Sequence, residues 1–151
     1  MDVPSGVSEL LDRKGRVVHT IDGKAALSVC ADKMLAEDVG SLVVCADDGS
    51  LEGIVTWHDL LRCAAKPEPK LTTTPVSAVM STELATASEK DSLATVEKLM
   101  VSKRIRHLPV VTDGKVVGLI TRLDVLRLHL SHADALSTDL EAYISGVYPP
   151  G

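Results

Sequence analysis

Two ten-residue segments, Gly53–Arg62 (GIVTWHDLLR) and Gly118–Arg127 (GLITRLDVLR), decide how this chain folds. They share Gly, Thr, Asp, Leu and Arg at identical places, at an offset of 65 residues. Upstream of them, Val39–Val44 (VGSLVV) matches Ile105–Val110 (IRHLPV) at an offset of 66 residues. Self-similarity at a fixed spacing indicates one structural unit used twice, so we interpret the chain as an internal duplication.

The change of offset by one residue lies between Ala46–Leu51 and Thr112–Lys115, which contain Asp-Gly pairs. These pairs predict hairpin turns, because Asp and Gly adopt positive φ at low cost. A helix is predicted before each hairpin from apolar residues at helical spacing. Those residues are Leu27, Cys30, Ala31 and Met34 in the first half, and Leu93, Val96 and Met100 in the second.

Each repeated segment from Gly to Thr is typical of a strand that leads into a helix. The predicted order in each half is therefore strand, helix, strand, strand, helix, which is an α/β (α+β) fold. Ser88–Asp91 resembles a capping box at the start of the second repeat's first helix. Near-helical spacing also predicts a short helix in the C-terminal segment.

The predicted division of the chain follows from this pattern. The first repeat with its N-terminal segment covers residues 1–66, and the second covers residues 76–133. A stiff connector rich in Pro and Thr, residues 67–75, separates them, and residues 134–151 form the C-terminal helix and tail.

Composition narrows the classes of function. The net charge is −5 and only 2% of the 151 residues are aromatic, so neither nucleic acid nor a membrane surface is an expected partner. The three cysteines show no Cys-x-x-Cys pair and are interpreted as buried free thiols of a cytoplasmic protein. Neither a secretory leader nor a membrane-spanning run is recognised in the sequence.

The repeated segments resemble the tandem cystathionine β-synthase (CBS) domain family, of the small stand-alone bacterial type. Ile105–Val110 looks like its apolar-x-x-apolar-Pro segment, and Gly118–Asp124 looks like its Gly-apolar-apolar-Thr/Ser-x-x-Asp segment. The similarity runs from about Leu10 to Ala133. It implies two β-α-β-β-α repeats related by a pseudo-two-fold axis, two nucleotide clefts between them, a flat homodimer, and no catalytic residues.

The chemistry of a nucleotide site can be stated from the residues themselves. An adenosine ligand needs a carboxylate for its ribose hydroxyls, an apolar slot for its base and donors for phosphate. In the second repeat, Thr121 and Asp124 fall at a helix N-terminus, where an anion is also favoured. The apolar slot is assigned to Ile105, Leu108, Pro109 and Leu119, and positive charge to Arg104, Arg106, His107 and Arg122. Leu123 lies beside them, and the first repeat offers Ile54, Thr56 and Asp59.

In the family each cleft takes residues from both repeats. The resemblance therefore implies that Asp59 is partnered by Ser81, Ala85, Arg106 and His107. It likewise implies that Asp124 is partnered by His19, Val39, Gly40 and Ser41. Because Val43 stands where the second repeat has Pro109, and Gly40-Ser41 where it has Arg106-His107, we expect two unequal clefts.

Each of these features has a simpler interpretation. Thr56 with Asp59, and Thr121 with Asp124, also fit helix-capping boxes, and Arg104 and Arg106 fit a solvated face. His129, His132 and Asp134 have the spacing of metal ligands, although histidines near a helix end also complement its dipole. Trp57 and His58 are interpreted as surface packing at a cleft entrance or a dimer contact.

Three classes of function follow. The first is a regulatory module that binds AMP, ADP, ATP or a related adenosine ligand, requires no cofactor, and acts in trans on an unknown protein. The second is a ligand-free structural module that forms a homodimer. The third, an enzyme, has least support, because the sequence contains no P-loop, no Gly-x-Ser-x-Gly elbow and no dense carboxylate cluster.

Overall fold

The computed structural model describes residues 3–132, which form five α-helices and two small sheets. The elements, in chain order, are α1 Val7–Lys14, β1 Thr20–Ile21, α2 Leu27–Glu37, β2 Ser41–Cys45, β3 Leu51–Thr56, α3 Trp57–Ala64, a 3-10 turn Val76–Ala78, α4 Leu93–Lys103, β4 His107–Thr112, β5 Lys115–Thr121 and α5 Arg122–His132. The predicted α/β class is confirmed. The helix predicted in the C-terminal segment lies outside the described residues.

The two sheets are built on one plan. In the first, β1 runs parallel to β2 and β2 antiparallel to β3. In the second, β4 and β5 are antiparallel, and the counterpart of β1 is a single parallel bridge between Ala87 and Val110. The first repeat thus has the predicted order of strands and helices, whereas the leading strand of the second is reduced to one bridge.

The strand register repeats as the sequence alignment requires. Ser41 pairs with Thr56 as His107 pairs with Thr121, and a bulge follows Val44 as one follows Val110. The second hairpin turns through Asp113-Gly114, both at positive φ (51° and 77°), while the first has the longer loop between Cys45 and Leu51. The extra residue of the first repeat is accommodated in its turn, as predicted.

The predicted capping box at Ser88–Asp91 is wrong as the start of a helix. Ser88 N–H does donate to the Asp91 carboxylate at 2.8 Å, but this closes a separate turn. The chain then passes through Ser92, which has an extended backbone (φ −77°, ψ 153°). Ser92 is the actual N-cap of α4, and its hydroxyl accepts the Thr95 N–H at 3.1 Å.

Each core contains a segment that precedes the other repeat in the sequence. We call residues 5–15 the first lead-in and residues 70–81 the second lead-in. The buried residues Val7, Leu10 and Leu11 of the first lead-in belong to the core built on α4, β4 and β5. Val76 of the second lead-in belongs to the core built on α2, β2 and β3. The apolar cores therefore join the two halves of the described structure.

Backbone hydrogen bonds fix both crossings. Val76 N–H donates to Ala25 O at 2.8 Å, and Leu27 N–H donates to Thr74 O at 2.9 Å. At the other crossing, Val7 N–H donates to Asp91 O at 3.0 Å and Leu93 N–H donates to Ser5 O at 3.2 Å. Each lead-in is thus tied to the start of the first helix of the repeat that it enters.

The glycine of each repeated segment lies where a lead-in passes over the sheet. A Cβ on Gly53 would come within 2.7 Å of Met80 Sδ and 2.8 Å of the Ser81 carbonyl oxygen. A Cβ on Gly118 would come within 2.7 Å of the Leu11 side chain. Only glycine allows so close an approach, which explains why both copies of the segment begin with it.

Cys30 and Cys63 are buried free thiols, as predicted, whereas Cys45 is half-buried. Burial raises the pKa of the Cys30 thiol to about 11. Within residues 3–132, no helix has the length and apolar character that crossing a bilayer requires.

Gly53→Ala is expected to destabilise the fold by about 1–3 kcal/mol, because the new methyl group meets a backbone oxygen that cannot move alone. Chemical denaturation measures the free energy of unfolding. Gly23→Ala is the matched control, because its Cβ would meet nothing closer than 3.4 Å. Equal effects of the two substitutions would contradict the proposed role of close approach at Gly53.

Candidate ligand site

Asp59 and Asp124 occupy the same place in the two repeats, in the first turn of the helix that follows the repeated strand. Both residues are only 8% exposed. Oδ2 of Asp59 accepts hydrogen bonds from Thr56 N–H at 2.8 Å and from the Thr56 hydroxyl at 3.2 Å. Oδ2 of Asp124 accepts the same pair from Thr121, at 2.8 and 3.0 Å. The capping interpretation of both motifs is therefore correct.

Capping uses only one oxygen of each carboxylate. No hydrogen bond from the described residues reaches Oδ1 of Asp59 or of Asp124, and the nearest cation to Asp59 Oδ1 is Arg62 Nη1 at 3.7 Å. A carboxylate oxygen at a helix N-terminus that keeps its acceptor capacity suits a donor such as a hydroxyl group. Capping and ligand binding are thus compatible at both acids.

The residue directly before β2 and the residue directly before β4 each accept a backbone hydrogen bond from the first residue of a helix, α3 and α5 respectively. Gly40 O accepts the Trp57 N–H at 3.0 Å, and Arg106 O accepts the Arg122 N–H at 2.9 Å. The Trp57 ring lies against Gly40, where a Cβ would be 3.2 Å from Trp57 Cδ1, and it stacks on His58 with ring centroids 4.0 Å apart. These contacts are made within one repeat.

One of the contacts predicted between the two repeats is present among the described residues. Ser81 of the second lead-in exchanges two backbone hydrogen bonds with Ile54 of β3, at 2.9 and 3.0 Å, and so lies beside the strand that ends before Asp59. His19 O accepts the Val43 N–H at 3.0 Å, and Val39 and Ala85 pack against the first and second cores, respectively. The remaining predicted pairings across the clefts stay predictions.

The positive charge predicted around the second repeat needs one correction. His107 begins β4, where burial and then the charge of Arg106 lower its pKa below 6.5. At neutral pH it is therefore an uncharged ring that can donate and accept hydrogen bonds. The cationic part of the predicted set consists of Arg104, Arg106 and Arg122.

A cavity of about 300 Å³ opens beside Asp59. It lies between α3 and the connector region, and its lining residues are Asp59, Arg62, Cys63, Lys66, Pro69, Thr74, Ala78 and Val79. Arg62 and Lys66 are not among the site residues that the sequence predicts. One signal was present for Arg62, which is one of the five repeated identities and shares a helix face with Asp59 and Cys63. Lys66 lies beyond the end of α3 and carried no such signal.

Asp124 has a partner, Lys14, that is not among the residues predicted from the sequence. Lys14 Nζ, at the end of α1, lies 2.5 Å from Asp124 Oδ2 and 2.7 Å from the Leu119 carbonyl oxygen. The two residues are 110 positions apart and belong to no common motif, so only the packing of α1 onto the second repeat brings them together.

The proposed metal alternative gains no support from the part of the chain that is described. His129 Nε2 lies 2.6 Å from Glu97 Oε1, which gives this ring an acidic partner on α4. Among residues 3–132, no group of three or more His, Cys, Asp or Glu side chains has a geometry suited to a metal ion. Asp134, the third predicted ligand, lies outside those residues.

The chain matches the CBS domain family over residues 7–66 and 76–131, and it is a member of that family. It is 32% identical to the CBS domain-containing protein YhcV of Bacillus subtilis, over 85% of this chain and 91% of that protein. It is also 32% identical to the uncharacterized protein MJ1404 of Methanocaldococcus jannaschii, over 74% of this chain but only 30% of that longer protein.

Solved structures agree with the fold. The CBS-domain protein ATU1752 of Agrobacterium tumefaciens superposes with a TM-score of 0.77 at 29% identity, over 85% of this chain and 96% of that one. The CBS domain pair of MJ0100, in complex with 5′-methylthioadenosine and S-adenosyl-L-methionine, superposes with a TM-score of 0.74 over 87% of this chain and 99% of that one. Its identity is 23%, so this second likeness shows the fold alone.

His107 gives a prediction about pH. Because its folded-state pKa lies below the ordinary value of 6.5, the unfolded chain binds a proton more readily, and the free energy of unfolding should fall as the pH drops below 6.5. The His107 ring resonances in an NMR titration should show a midpoint below 6.5, and Arg106→Gln should raise it. A midpoint at or above 6.5 in the unmodified protein would contradict this assignment.

Proposed function

We propose that this chain is a regulatory CBS pair that binds an adenosine-containing ligand beside Asp59, beside Asp124, or beside both, and thereby alters a partner protein in trans. The observation that carries the proposal is the geometry common to the two acids. A largely buried carboxylate is held by Thr through one oxygen, and its other oxygen takes no hydrogen bond from the described residues. That second oxygen is open to solvent, since no buried side-chain oxygen or nitrogen of the described residues lacks a hydrogen-bond partner. A ligand's hydroxyl groups could therefore donate to it.

The surroundings of Asp59 supply the other requirements of a nucleotide. In this proposal the ribose hydroxyls donate to the carboxylate, and the helix N-terminus together with Arg62 and Lys66 attracts the phosphate. The cavity beside Asp59, about 300 Å³ in volume, reaches the lower end of the range for small-molecule sites. Arg106 and the neutral His107, which the resemblance assigns to this cleft, would add one charge and one adaptable hydrogen-bonding ring.

The comparison with MJ0100 supports the class of ligand. That CBS pair was crystallised with two adenosine derivatives, and its fold is shared with this chain. We extend only the adenosine moiety to the present protein.

A regulatory effect requires that the ligand bind two states of the protein unequally. The two repeats touch at their hairpins, where Val116 N–H donates to Gly49 O at 3.2 Å and Lys115 Nζ lies 3.2 Å from the Asp48 carboxylate. A ligand that changes the angle between the repeats would change this contact. We propose that such a change is passed to a partner through a homodimer.

The apolar exposure of two helices supports the homodimer and also the alternative function, a ligand-free dimerisation module. Trp57 and Leu61 of α3, and Leu123 of α5, are large apolar side chains that remain 43–54% exposed. The alternative explains both acids as helix caps and predicts no ligand. Catalysis is not part of either proposal, and the relatives compared above are described as CBS-domain or uncharacterized proteins.

Calorimetric titration of the nucleotide-free protein with AMP, ADP, ATP, NAD and S-adenosylmethionine tests the proposal. We expect saturable binding that Asp59→Asn or Asp124→Asn weakens by roughly tenfold or more, because a charged hydrogen-bond acceptor is lost while the cap geometry is kept. Asp91→Asn is the matched control, since Asp91 also accepts a backbone N–H in a turn but lines neither site.

The outcome separates the two candidates. No heat from any ligand, with all variants folded and dimeric, would favour the dimerisation module. Equal binding by the wild type and both Asn variants would show that the ligand lies elsewhere.

A further inference from the structure

At one equivalent position of the two repeats, the backbone carbonyl oxygen accepts a hydrogen bond from a different kind of donor. Ile54 and Leu119 hold the same position in the repeated segment. Ile54 O accepts the backbone N–H of Ser81 at 2.9 Å, whereas Leu119 O accepts the ammonium group of Lys14 at 2.7 Å. At this place the first lead-in therefore contributes a charged side chain where the second lead-in contributes a neutral backbone amide.

The ammonium group also neutralises the neighbouring acid. Lys14 Nζ lies 2.5 Å from Asp124 Oδ2, which already accepts the backbone N–H and the hydroxyl of Thr121. Three donors therefore converge on one oxygen of a residue that is 8% exposed. In contrast, Oδ2 of Asp59 accepts two donors, and the nearest cation, Arg62, stands 3.7 Å from the other oxygen.

Lys14 is held in this position by its helix. Leu11, one turn earlier in α1, is fully buried against Gly118. Just beyond the helix, Arg16 pairs with Glu89 at 2.5 Å and with Asp12 at 2.8 Å. The C-terminal end of α1 is thus fixed to the second repeat on both sides of Lys14, and the Lys14 side chain itself is only 27% exposed.

We infer that Lys14 acts as a built-in counter-ion that keeps ligand hydroxyl groups from Asp124, so that Asp59 is the stronger of the two ligand sites. The inference rests on the proposed function for the identity of the competing ligand. A ligand that uses both oxygens of Asp124 must displace an ammonium group from a shielded carboxylate. At Asp59 the nearest cation among the described residues is the exposed Arg62, which stands 3.7 Å from Oδ1 and makes no hydrogen bond to the carboxylate.

The test uses Lys14→Met, which keeps the length and apolar stem of the side chain but removes its charge. It is compared with the wild type, with Asp59→Asn and with the double variant Asp59→Asn/Lys14→Met, in calorimetric titrations with AMP and, separately, with S-adenosylmethionine. Lys33→Met is the matched control, because the Lys33 ammonium group also donates to a backbone carbonyl, that of Thr20, on the other repeat. Thermal unfolding establishes that each variant is folded.

We expect the wild type to bind a probe mainly at one site, which Asp59→Asn weakens by roughly tenfold or more. Lys14→Met should add a second site, and in the Asp59→Asn background it should increase affinity by about tenfold or more, the effect of about 1.4 kcal/mol. Asp124→Asn should remove that added binding. Lys33→Met should leave both stoichiometry and affinity unchanged.

The possible failures can be told apart. Wild-type binding that Lys14→Met leaves unchanged or weakens would overturn the counter-ion role while the proposed function stands. Binding of a probe only after Lys14→Met, and its loss with Asp124→Asn, would support the counter-ion role even where the wild type binds nothing. No binding by the wild type or by Lys14→Met would overturn both inferences.

Discussion

The close passage of each lead-in over the opposite repeat is the constraint on which the rest of the structure depends. Gly53 and Gly118 permit it, because any larger residue would place a Cβ within 2.8 Å of Ser81 or Leu11. The crossing completes both apolar cores and ties each lead-in to the first helix of the repeat that it enters. Each half of the described structure thus owes part of its core to a segment that precedes the other repeat in the sequence, which couples the two halves energetically.

The same crossing sets the environment of the two acids. Each repeated strand passes under a lead-in at its glycine, Gly53 or Gly118. Three residues later, Thr56 or Thr121 caps the following helix, and the first turn of that helix carries Asp59 or Asp124. The carboxylate position therefore follows from the strand position, and its burial follows from the lead-in that covers the strand. Capping fixes one oxygen of each acid and leaves the second oxygen with acceptor capacity, so the motif that caps the helix also retains the acceptor that the proposed ligand requires.

The sequence predicted the features of the fold that depend on interactions between residues close together in the chain. The repeated segment gave the strand-to-helix order, the alignment of Ser41 with His107 gave the register, and the Asp-Gly pairs gave the turns. The cap at Ser88 was misassigned because a turn and a helix start use the same Ser-x-x-Asp spacing, and only the extended backbone of Ser92 separates them. Lys14 could not be found, since its partner lies 110 residues away and the contact exists only once the lead-ins have crossed.

Duplication of a segment does not duplicate its surroundings. The two acids share their residue type, their Thr partners, their register and their exposure. They differ because the lead-ins are not copies of each other: the first is a helix that ends in Lys14, and the second is a short turn followed by the backbone of Ser81. Since the electrostatic state of a shielded carboxylate depends strongly on one neighbouring charge, this single difference is enough to give two carboxylates of common origin unequal surroundings.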